Sequence, residues 1–248
     1  MLTAGVQSVV PVPDTFMKIL MIAPQPFFSE RGTPISIRLM CQVLGGAGHQ
    51  IDLLTFPTGR DVSLPHLDVI RIPNFLKVRK IPIGPSLTKL VFDVVLFIYA
   101  FLLCISRRYD VIHGIEEGGF IAVFLGIVGR TPSIYDMDSS LVDQLRYSRF
   151  IKSPTVLKIA RKLETCALQN ASLILTVCQA LTETAKSLAT TPIVQIEDIP
   201  LQGLEGAVKT DQYELITTFG LTDKKRVVYT GNLEEYQGID LLLDSWPI

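Results

Sequence analysis

Two glutamates follow a histidine in the motif HGIEEGGF, which begins at the end of a short apolar run. His113 lies at the end of that run, and Glu116 and Glu117 precede the glycines Gly118 and Gly119. Carboxylates in this position can hold the hydroxyl groups of a sugar or act as a general base. Two glutamates near the start of a helix also simply favour its macrodipole, so a structural role for them stays open.

A second acidic motif, YDMDSS, also belongs to an apolar run. Asp136 and Asp138 stand on either side of Met137 in this motif. Two carboxylates at this spacing could bind a metal ion or orient an acceptor hydroxyl. Asp138 or Ser139 could equally be the N-cap of the helix that follows. The sequence leaves both interpretations open.

Two glycine-bearing segments could cradle a phosphate. The segment PQPFFSERGTPIS, residues 24–36, carries Gly32 and Thr33 just before the first predicted helix. Backbone NH groups at a helix N-terminus suit a phosphate or a sugar hydroxyl, although a glycine before a helix is as often only a turn. The segment LGGAG, residues 44–48, follows that helix instead. Glycines there end helices, so we exclude it as a phosphate loop.

These motifs are positioned by an alternation of apolar strands and helices. The predicted strands are 18–23, 49–56, 69–72, 110–114, 133–138, 172–177 and 193–198, and the predicted helices are 35–44, 94–106, 120–128, 154–169 and 180–188. Near-continuous apolar strands separated by helices predict a parallel sheet covered on both faces. We therefore expect a doubly wound, Rossmann-like α/β domain, with ligands at the carboxyl ends of its strands.

The last residues, 226–248, are typical of the beginning of a further unit. The apolar run Val227–Tyr229 is followed by a loop bounded by Gly231 and Gly238, and then by a segment with helical spacing. Strand, loop and helix in this order start a βαβ unit. The sequence thus predicts four parts: a disordered lead (1–16), the main domain (17–199), a connection (200–225) and the truncated start of a second domain (226–248).

Composition narrows the function classes. The 248 residues include 23 Lys and Arg against 24 Asp and Glu, so there is no bulk positive charge to attract nucleic acid. The four cysteines are widely spaced in apolar segments, and we expect them to be reduced, buried thiols of a cytosolic protein. Three scattered histidines give little support to a histidine-based metal site, and we expect no metal.

One segment could contact a membrane. Val94–Ser106 runs for thirteen residues without a charge, between Asp93 and the pair Arg107 and Arg108. A spanning helix needs about 20 apolar residues, so this length favours a buried core helix or an interfacial segment over a span. The N-terminal residues are broken by prolines and lack a basic region, which argues against a signal peptide. We expect a cytoplasmic protein that could lie peripherally on the inner face of the membrane.

Four segments, taken together in this order and spacing, resemble the family 4 glycosyltransferases of the GT-B fold. They are KILMIAPQPFFSERGTPISIRLMCQVLGGAGHQIDLLT (18–55), YDVIHGIEEGGFIA (109–122), ASLILTVCQALTETA (171–185) and VVYTGNLEEYQGIDLLLDSW (227–246). The resemblance covers nearly all of the chain from Met17 on. It implies two Rossmann-like domains facing each other across a cleft. The amino-terminal one mainly shapes the acceptor side, and the carboxy-terminal one mainly holds a nucleotide-sugar.

The resemblance also implies a reaction: transfer of a hexosyl group from a nucleotide diphosphate sugar to a hydroxyl, with retention at the anomeric carbon. Helix N-termini and basic side chains, instead of a metal, would stabilise the departing diphosphate, and no cofactor is implied. The acceptor would be a saccharide or a lipid-linked saccharide in cell-envelope polysaccharide or glycolipid synthesis. As a fragment, the chain would be inactive alone.

The resemblance assigns positions in this sequence to the cleft. Gly32 and Thr33 would face the donor phosphate or sugar, and Glu116 with Gly118 and Gly119 would line the cleft beside His113. Asp136 and Asp138 would lie on the acceptor side. The donor diphosphate loop would be formed by Gly231, Asn232, Gln237 and Gly238. No catalytic residue is identified.

Three positions depart from the family pattern. Many members have a second histidine where this chain has Ile115, and an arginine and a lysine where it has Asn232 and Gln237. An amide donates a hydrogen bond but does not neutralise a diphosphate. The sequence therefore predicts either other donors of positive charge or a different donor geometry.

Two other functions remain to be weighed. The chain could be a non-catalytic module that binds a sugar or lipid acceptor and acts with a separate donor-binding polypeptide. A dinucleotide-dependent oxidoreductase would need a GxGxxG loop directly after the first strand. The segment PQPFFSERGTP is not such a loop, which argues against that class.

Overall fold

The computed structural model of this chain describes residues 15–79, 81, 86–147 and 153–199, and further along 217–218, 220, 222, 227–229 and 238–245. Contacts divide the chain into two units, Met1–Ile199 and Pro200–Ile248. The strands are β1 (Lys18–Ala23), β2 (Gln50–Thr55), β3 (Leu67–Arg71), β4 (Val111–Ile115), β5 (Ser133–Met137), β6 (Leu173–Thr176) and β7 (Ile193–Gln195). The helices are α1 (Gly32–Gly46), α2 (Leu87–Ser106), α3 (Gly118–Gly129), α4 (Leu141–Tyr147), α5 (Pro154–Asn170), α6 (Gln179–Leu188) and α7 (Ile239–Asp244).

The first unit is built on a seven-stranded sheet with the order β3-β2-β1-β4-β5-β6-β7. Every neighbouring pair of strands is parallel. This confirms the predicted doubly wound α/β fold. The strand order reverses direction between β1 and β4, and the crevice outside the carboxyl ends of strands at such a point is where this fold binds ligands.

The strands are buried because their side chains are apolar on both faces. In β1, every residue from Ile19 to Ala23 is buried, and in β2 every residue from Ile51 to Thr55. One core cluster joins Leu20 and Ile22 of β1 to Leu54 of β2 and to residues of α2 and α3. Helices on both faces of a parallel sheet produce this pattern of continuous burial.

Most helices and strands of the first unit start and end within a few residues of the predicted positions, with three differences that matter: the start of α1, the extra helix α4 and the length of α2. The first helix begins at Gly32, so Gly32 and Thr33 lie in its first turn and not before it.

The short helix α4 was not predicted. The cap at its start is Ser140, not the predicted Asp138 or Ser139: the Ser140 hydroxyl accepts from the Asp143 NH over 3.3 Å. The buried carboxylate of Glu164 on α5 accepts from the Ser140 hydroxyl and from the Leu141 NH.

Helix α2 is longer than the uncharged run that predicted it. It begins at Leu87, where the Ser86 hydroxyl accepts a hydrogen bond from the backbone NH of Lys89, and it has 20 residues. Among the described residues, it is the one helix long and apolar enough to cross a bilayer, judged by length and composition alone. One face nevertheless packs into the sheet core through Phe92, Leu96 and Ala100.

The prediction that all four cysteines are buried was wrong for three of them. Cys41 is buried in the core, Cys104 is half-buried, and Cys166 and Cys178 are exposed. Cys104 lies on α2, Cys166 lies on the solvent side of α5, and Cys178 precedes the first turn of α6. Apolar neighbours in the sequence therefore did not reveal which face of each helix carries the thiol.

In the second unit, the predicted strand is absent from the described residues 227–229, which have no regular secondary structure. A strand forms only with a neighbour to pair with, and no described residue of this unit supplies one. Helix α7 does form, but Leu241 and Leu243 are exposed and not on a buried side. Gly238 precedes it with φ of 67°, the left-handed conformation that glycine adopts without strain.

Candidate functional site

The junction between β4 and α3 lies at the switch point of the sheet. Glu116 is the first residue after β4 and has φ of 50°, an uncommon conformation for a residue with a Cβ. Its backbone NH donates to the Asp136 carbonyl over 2.9 Å, and its own carbonyl accepts from the Gly119 NH over 2.9 Å. This turn directs the Glu116 side chain to the carboxyl edge of the sheet.

Glycines make this junction possible by allowing close backbone approach. A Cβ on Gly118 would lie 2.3 Å from the Ile22 carbonyl oxygen, and one on Gly119 would lie 2.0 Å from the ring of Tyr135. Both glycines are buried, so their placement is explained by packing of α3 against the sheet. Gly32 differs, because a Cβ there would meet no atom within 4 Å.

Helix α2 contributes two charged side chains, Lys89 and Asp93, that were not predicted as site residues. Lys89 Nζ lies 2.6 Å from Glu117 Oε1, and both side chains are largely buried. Burial works against the ammonium of Lys89, but the nearby carboxylates, chiefly that of Glu117, outweigh it and raise the pKa. Asp93 lies one helical turn further on. Burial, with the glutamates adding to it, raises the pKa of Asp93 to about 7.

A signal for these two residues was present in the sequence. Lys89 and Asp93 are spaced four residues apart in a helix that is otherwise almost entirely apolar. Residues at this spacing lie on one side of a helix. A charged residue on a largely apolar helix needs a compensating charge: for Lys89 it is Glu117, and for Asp93 it is Lys89 itself.

His113 and Asp136 form a buried pair beneath this edge. The distance between His113 Nε2 and Asp136 Oδ2 is 3.1 Å, and the two residues are 3% and 6% exposed. They lie on the adjacent strands β4 and β5. Both side chains are buried and bonded to each other. They therefore support the residues of the edge from below and do not themselves face a ligand.

Asp138 follows β5 and faces the first turn of α1. The Thr33 hydroxyl donates a hydrogen bond to its carboxylate, which favours the ionised form. Burial and neighbouring carboxylates nevertheless prevail and raise the pKa of Asp138 to about 8. Those carboxylates belong to Asp136, Glu116 and Asp198. Asp198, which also accepts a hydrogen bond from Ser36 of α1, was not predicted as a site residue.

Glu116, like Asp93 and Asp138, is a carboxyl that remains partly protonated near neutral pH. Burial raises its pKa to about 7, and the adjacent carboxylate of Glu117 adds to the rise. Lys89 and Arg31 act in the opposite direction but do not cancel it. We call Glu116, Glu117, Asp136 and Asp138 the carboxylate cluster. The structure thus brings together the acidic residues of both sequence motifs.

A small cavity opens beside Glu116 and Glu117. It is lined further by Phe120, Tyr135, Ser139, Leu141 and Gln144. The Ser139 hydroxyl and the Gln144 side-chain amide are hydrogen-bonded to each other over 2.5 Å. Tyr135 is fully buried, and burial raises its pKa well above the usual value. Carboxylates next to an aromatic wall and neutral polar groups are well suited to sugar hydroxyls.

The four residues of the predicted donor diphosphate loop belong to the second unit. Gly231, Asn232 and Gln237 lie outside the described residues. Gly238 belongs to the second unit, where it begins α7. Within the described part of the chain, no group of three or more His, Cys, Asp or Glu residues is arranged to hold a metal ion.

The raised pKa values predict a pH dependence of stability. Glu116 and Asp138 titrate in the folded protein at about 7 and about 8, above their ordinary values of 4.5 and 3.8. Groups with a raised folded pKa contribute stability that is complete below the unfolded pKa and is lost as pH rises through the folded pKa. We expect the free energy of unfolding in urea to fall between about pH 4 and about pH 8.

The control for this measurement is the double variant Glu116→Gln, Asp138→Asn, which removes both titrations while keeping the side-chain shapes. Its free energy of unfolding should depend less on pH over the same interval. Equal pH dependence in the variant and the wild type would mean that these two carboxyls are not the groups responsible.

Solved structures with a similar fold were found for this chain. The chain is similar to sucrose-phosphate synthase from Thermosynechococcus elongatus, with a TM-score of 0.66 and 19% identity over 92% of this chain and 59% of that one. It is also similar to Anabaena HepE in complex with UDP and glucose (TM-score 0.54, 17% identity, 92% and 57% covered). A third similar structure is Arabidopsis thaliana UGT89C1 complexed with UDP (TM-score 0.53, 16% identity, 94% and 65% covered).

At these identities the similarity shows the fold, which is that of GT-B glycosyltransferases. The chain spans about three fifths of the length of these structures. No protein-family model and no curated protein matches the sequence.

Proposed function

We propose that this chain is the acceptor-side part of a family 4 glycosyltransferase, which transfers a hexosyl group from a nucleotide diphosphate sugar to a hydroxyl. The observation that carries the proposal is the carboxylate cluster at the switch point of a GT-B fold. Two of its members, Glu116 and Asp138, have a pKa of about 7 and about 8. Perturbed carboxyls in the ligand crevice of a fold are a physical marker of a functional site.

The chemistry of the cluster suits a sugar. At neutral pH, Glu116 is partly ionised and Asp138 is mostly protonated, so the two carboxyls can accept from and donate to sugar hydroxyls. The ionised form of Glu116 can also take a proton from an acceptor hydroxyl as that hydroxyl attacks. Lys89 compensates Glu117 and so keeps the total negative charge at this edge low enough for a diphosphate to approach.

Helix α1 supplies the second element of the proposed site. Its first turn contains Gly32, which is open to solvent, and Thr33, which is bonded to Asp138. Backbone NH groups at the start of a 15-residue helix attract an anion. We assign this turn to the donor's phosphate or sugar. The donor diphosphate itself would be held mainly by the segment with Gly231, Asn232, Gln237 and Gly238.

The finer features of the proposed reaction come from the family resemblance. They are retention of anomeric configuration, departure of the diphosphate without a metal or cofactor, and a place in cell-envelope polysaccharide or glycolipid synthesis. HepE and UGT89C1, which share the fold, have been solved with UDP. That supports a nucleotide-sugar as the donor class for this chain.

A panel assay tests the proposal. Hydrolysis of nucleotide-sugars and transfer to saccharide acceptors would be measured for this chain and for the same chain joined to a second GT-B domain. We expect turnover with the joined protein and none with the chain alone, because only the joined protein has a complete donor-binding domain. Turnover by the chain alone would contradict the assignment of the donor loop.

The alternative function is a non-catalytic module that binds a sugar or lipid acceptor and works with a separate donor-binding polypeptide. It needs only the carboxylate cluster, since binding an acceptor requires no donor site. The panel assay separates the two. Saccharide binding without turnover in the joined protein would support the module.

We further propose that the protein lies on an anionic membrane surface through an apolar face of α2 and α3. Every exposed residue of α2 before its last position is apolar, and α3 adds three more. These residues, the apolar face, are Leu87, Leu90, Val91, Val94, Ile98, Phe101, Leu102 and Ile105, with Phe124, Ile127 and Val128. The rings of Phe97 and Phe124 lie 5.6 Å apart and link the two helices.

Charge at the rim of this face favours lipid over a second protein. The residues that follow the two helices are Arg107, Arg108 and Arg130, all exposed. Arg107 is already paired with Asp52 over 2.7 Å, so the charge offered to lipid is that of Arg108 and Arg130. Among the exposed residues of α2 there is no acidic side chain. Basic residues beside an apolar helix surface are the pattern of peripheral attachment to anionic lipids. The location this implies is the cytoplasmic side of the membrane.

Vesicle flotation tests this contact. We expect the chain to float with vesicles that contain phosphatidylglycerol and to float less with pure phosphatidylcholine. Ile98→Glu should reduce flotation, whereas Val43→Glu, which alters an exposed apolar residue on α1, should not. Absence of flotation would contradict membrane attachment. Dimerisation that Ile98→Glu abolishes would also contradict it and would indicate that a second copy of the chain covers the apolar face.

A further inference from the structure

A second cleft opens at the carboxyl edge of the sheet, beside β1 and β2 and apart from the carboxylate cluster. It has a volume of about 350 Å³ and is lined by Phe28, Arg38, Arg60, Asp61 and Ser63, among others. We call these five residues the arginine cleft. Its size is within the usual range for small-molecule sites.

The loops that form this cleft are fixed to each other through their backbones. The Phe28 NH donates to the Arg60 carbonyl over 3.0 Å, and the Arg60 NH donates to the Phe28 carbonyl over 2.9 Å. Arg71 of β3 donates to the carbonyls of Phe27 and Arg60 over 3.0 and 2.9 Å. The cleft is therefore pre-formed, so that a ligand need not order it.

Two guanidinium groups pack against one aromatic ring. The guanidinium carbon of Arg38 lies 5.0 Å from the centre of the Phe28 ring, and that of Arg60 lies 5.5 Å from it. Cation–π contacts at these distances hold both cations in place. The ring thus positions two positive charges at one cleft.

Only one of these charges is compensated. Arg60 is paired with Glu30, and Asp61, the other acidic residue of the cleft, is paired with Arg71. Arg38 has no acidic partner among the described residues, and its Nε atom is buried without a hydrogen-bond acceptor. An arginine has five NH donors and cannot lose its charge, so Arg38 is poised to bind an anion.

We propose that the arginine cleft binds a phosphate group carried by the acceptor. The planar fork of a guanidinium matches phosphate oxygens in a two-point contact, and a second guanidinium and the Ser63 hydroxyl are available beside it. That the phosphate belongs to an acceptor rests on the proposed glycosyl transfer. The binding of a phosphate monoester does not depend on it.

Helix α1 connects this cleft to the carboxylate cluster. Arg38 and Thr33 are both on α1, five positions apart, which is about 7.5 Å along the helix axis. A phosphate at Arg38 would place the body of a small acceptor toward Thr33 and Asp138. The expected ligand is therefore a phosphorylated saccharide with a free hydroxyl a short distance from its phosphate.

Calorimetric titration tests this with glucose 6-phosphate and glucose as a matched pair. We expect the wild-type chain to bind glucose 6-phosphate at least about tenfold more tightly than glucose, because a charge-assisted contact is added. Arg38→Gln should remove most of that difference, and Arg38→Lys should keep part of it. Arg161→Gln, which neutralises an exposed arginine on α5, is the matched control and should change nothing.

Several outcomes would overturn the assignment. They are equal binding of glucose and glucose 6-phosphate, or an unchanged preference in both Arg38→Gln and Arg60→Gln once circular dichroism has shown that the variants are folded. Vesicles containing phosphatidic acid distinguish the source of the phosphate. Competition between them and glucose 6-phosphate would indicate a lipid-linked phosphate, and its absence a soluble one.

The test also separates this inference from the proposed function. Phosphate-dependent binding by the chain without any turnover in the joined protein would leave the arginine cleft standing and remove the glycosyltransferase. Turnover in the joined protein with phosphate-free acceptors, and no phosphate-dependent binding, would support the glycosyltransferase and contradict the phosphate site.

Discussion

Gly119→Ala is expected to lower the free energy of unfolding by about 3 kcal/mol. The new Cβ would lie 2.0 and 2.4 Å from two ring atoms of Tyr135, which is fully buried and packs against Phe120. Alanine is the better helix former by up to about 1 kcal/mol, but the overlap with an enclosed ring is the larger effect. Chemical denaturation of the variant and the wild type measures the difference.

Gly129→Ala is the control in the same helix. A Cβ there would find its nearest neighbour, the Thr131 hydroxyl, at an ordinary 3.6 Å, so the change in stability should stay within about 0.5 kcal/mol. Equal stability of Gly119→Ala and Gly129→Ala would mean that α3 can move away from β5. The position of Glu116 after β4 would then not be fixed by packing.

Asp138→Asn is expected to reduce glycosyl transfer by the joined protein by about tenfold, the value of one hydrogen bond to a sugar hydroxyl. The amide can still accept the hydrogen bond from Thr33, so the fold around α1 is kept. It cannot change its protonation, and its NH2 group cannot accept a hydrogen bond from a sugar hydroxyl. Initial rates at saturating donor measure the effect, and Asp68→Asn, an exposed change on β3, is the control with full activity expected.

The same substitution should not destabilise the protein. Ionising a buried carboxyl with a pKa of about 8 costs free energy, so replacing it with an amide should raise the free energy of unfolding at alkaline pH. Loss of activity together with loss of stability would indicate a structural role for Asp138. Full activity would remove it from the proposed site.

The sheet was predictable because its strands are apolar on both faces. The run 18–23 coincides with β1, and the start of α5 at Pro154 and the end of α6 at Leu188 were also placed correctly. Proline at the first turn and a periodic apolar face are local signals. Such signals involve residues that are close together in the sequence, so they can be recognised without the structure.

The site was only partly predictable because its partners are distant in sequence. Glu117 is compensated by Lys89, and Asp138 is raised in pKa in part by Asp198. Neither pairing has a local signature, since each depends on the strand order around β1 and β4. The glycines 118 and 119 were noticed as cleft residues, but their packing against Ile22 and Tyr135 becomes apparent only in three dimensions.

The arginine cleft was missed for a different reason. Arg38 is a polar residue on an amphipathic helix, and Arg60 lies in a loop, so each alone is ordinary. Phe28 brings them together, and the sequence gives no sign that one aromatic ring contacts both.

A crystal structure of the joined protein with a nucleotide-sugar donor and a saccharide acceptor tests the central claim most directly. We predict sugar hydroxyls within hydrogen-bond distance of Glu116 and Asp138, with the acceptor beside the first turn of α1. A sugar bound elsewhere, with these two carboxyls bonded only to protein or water, would contradict the account.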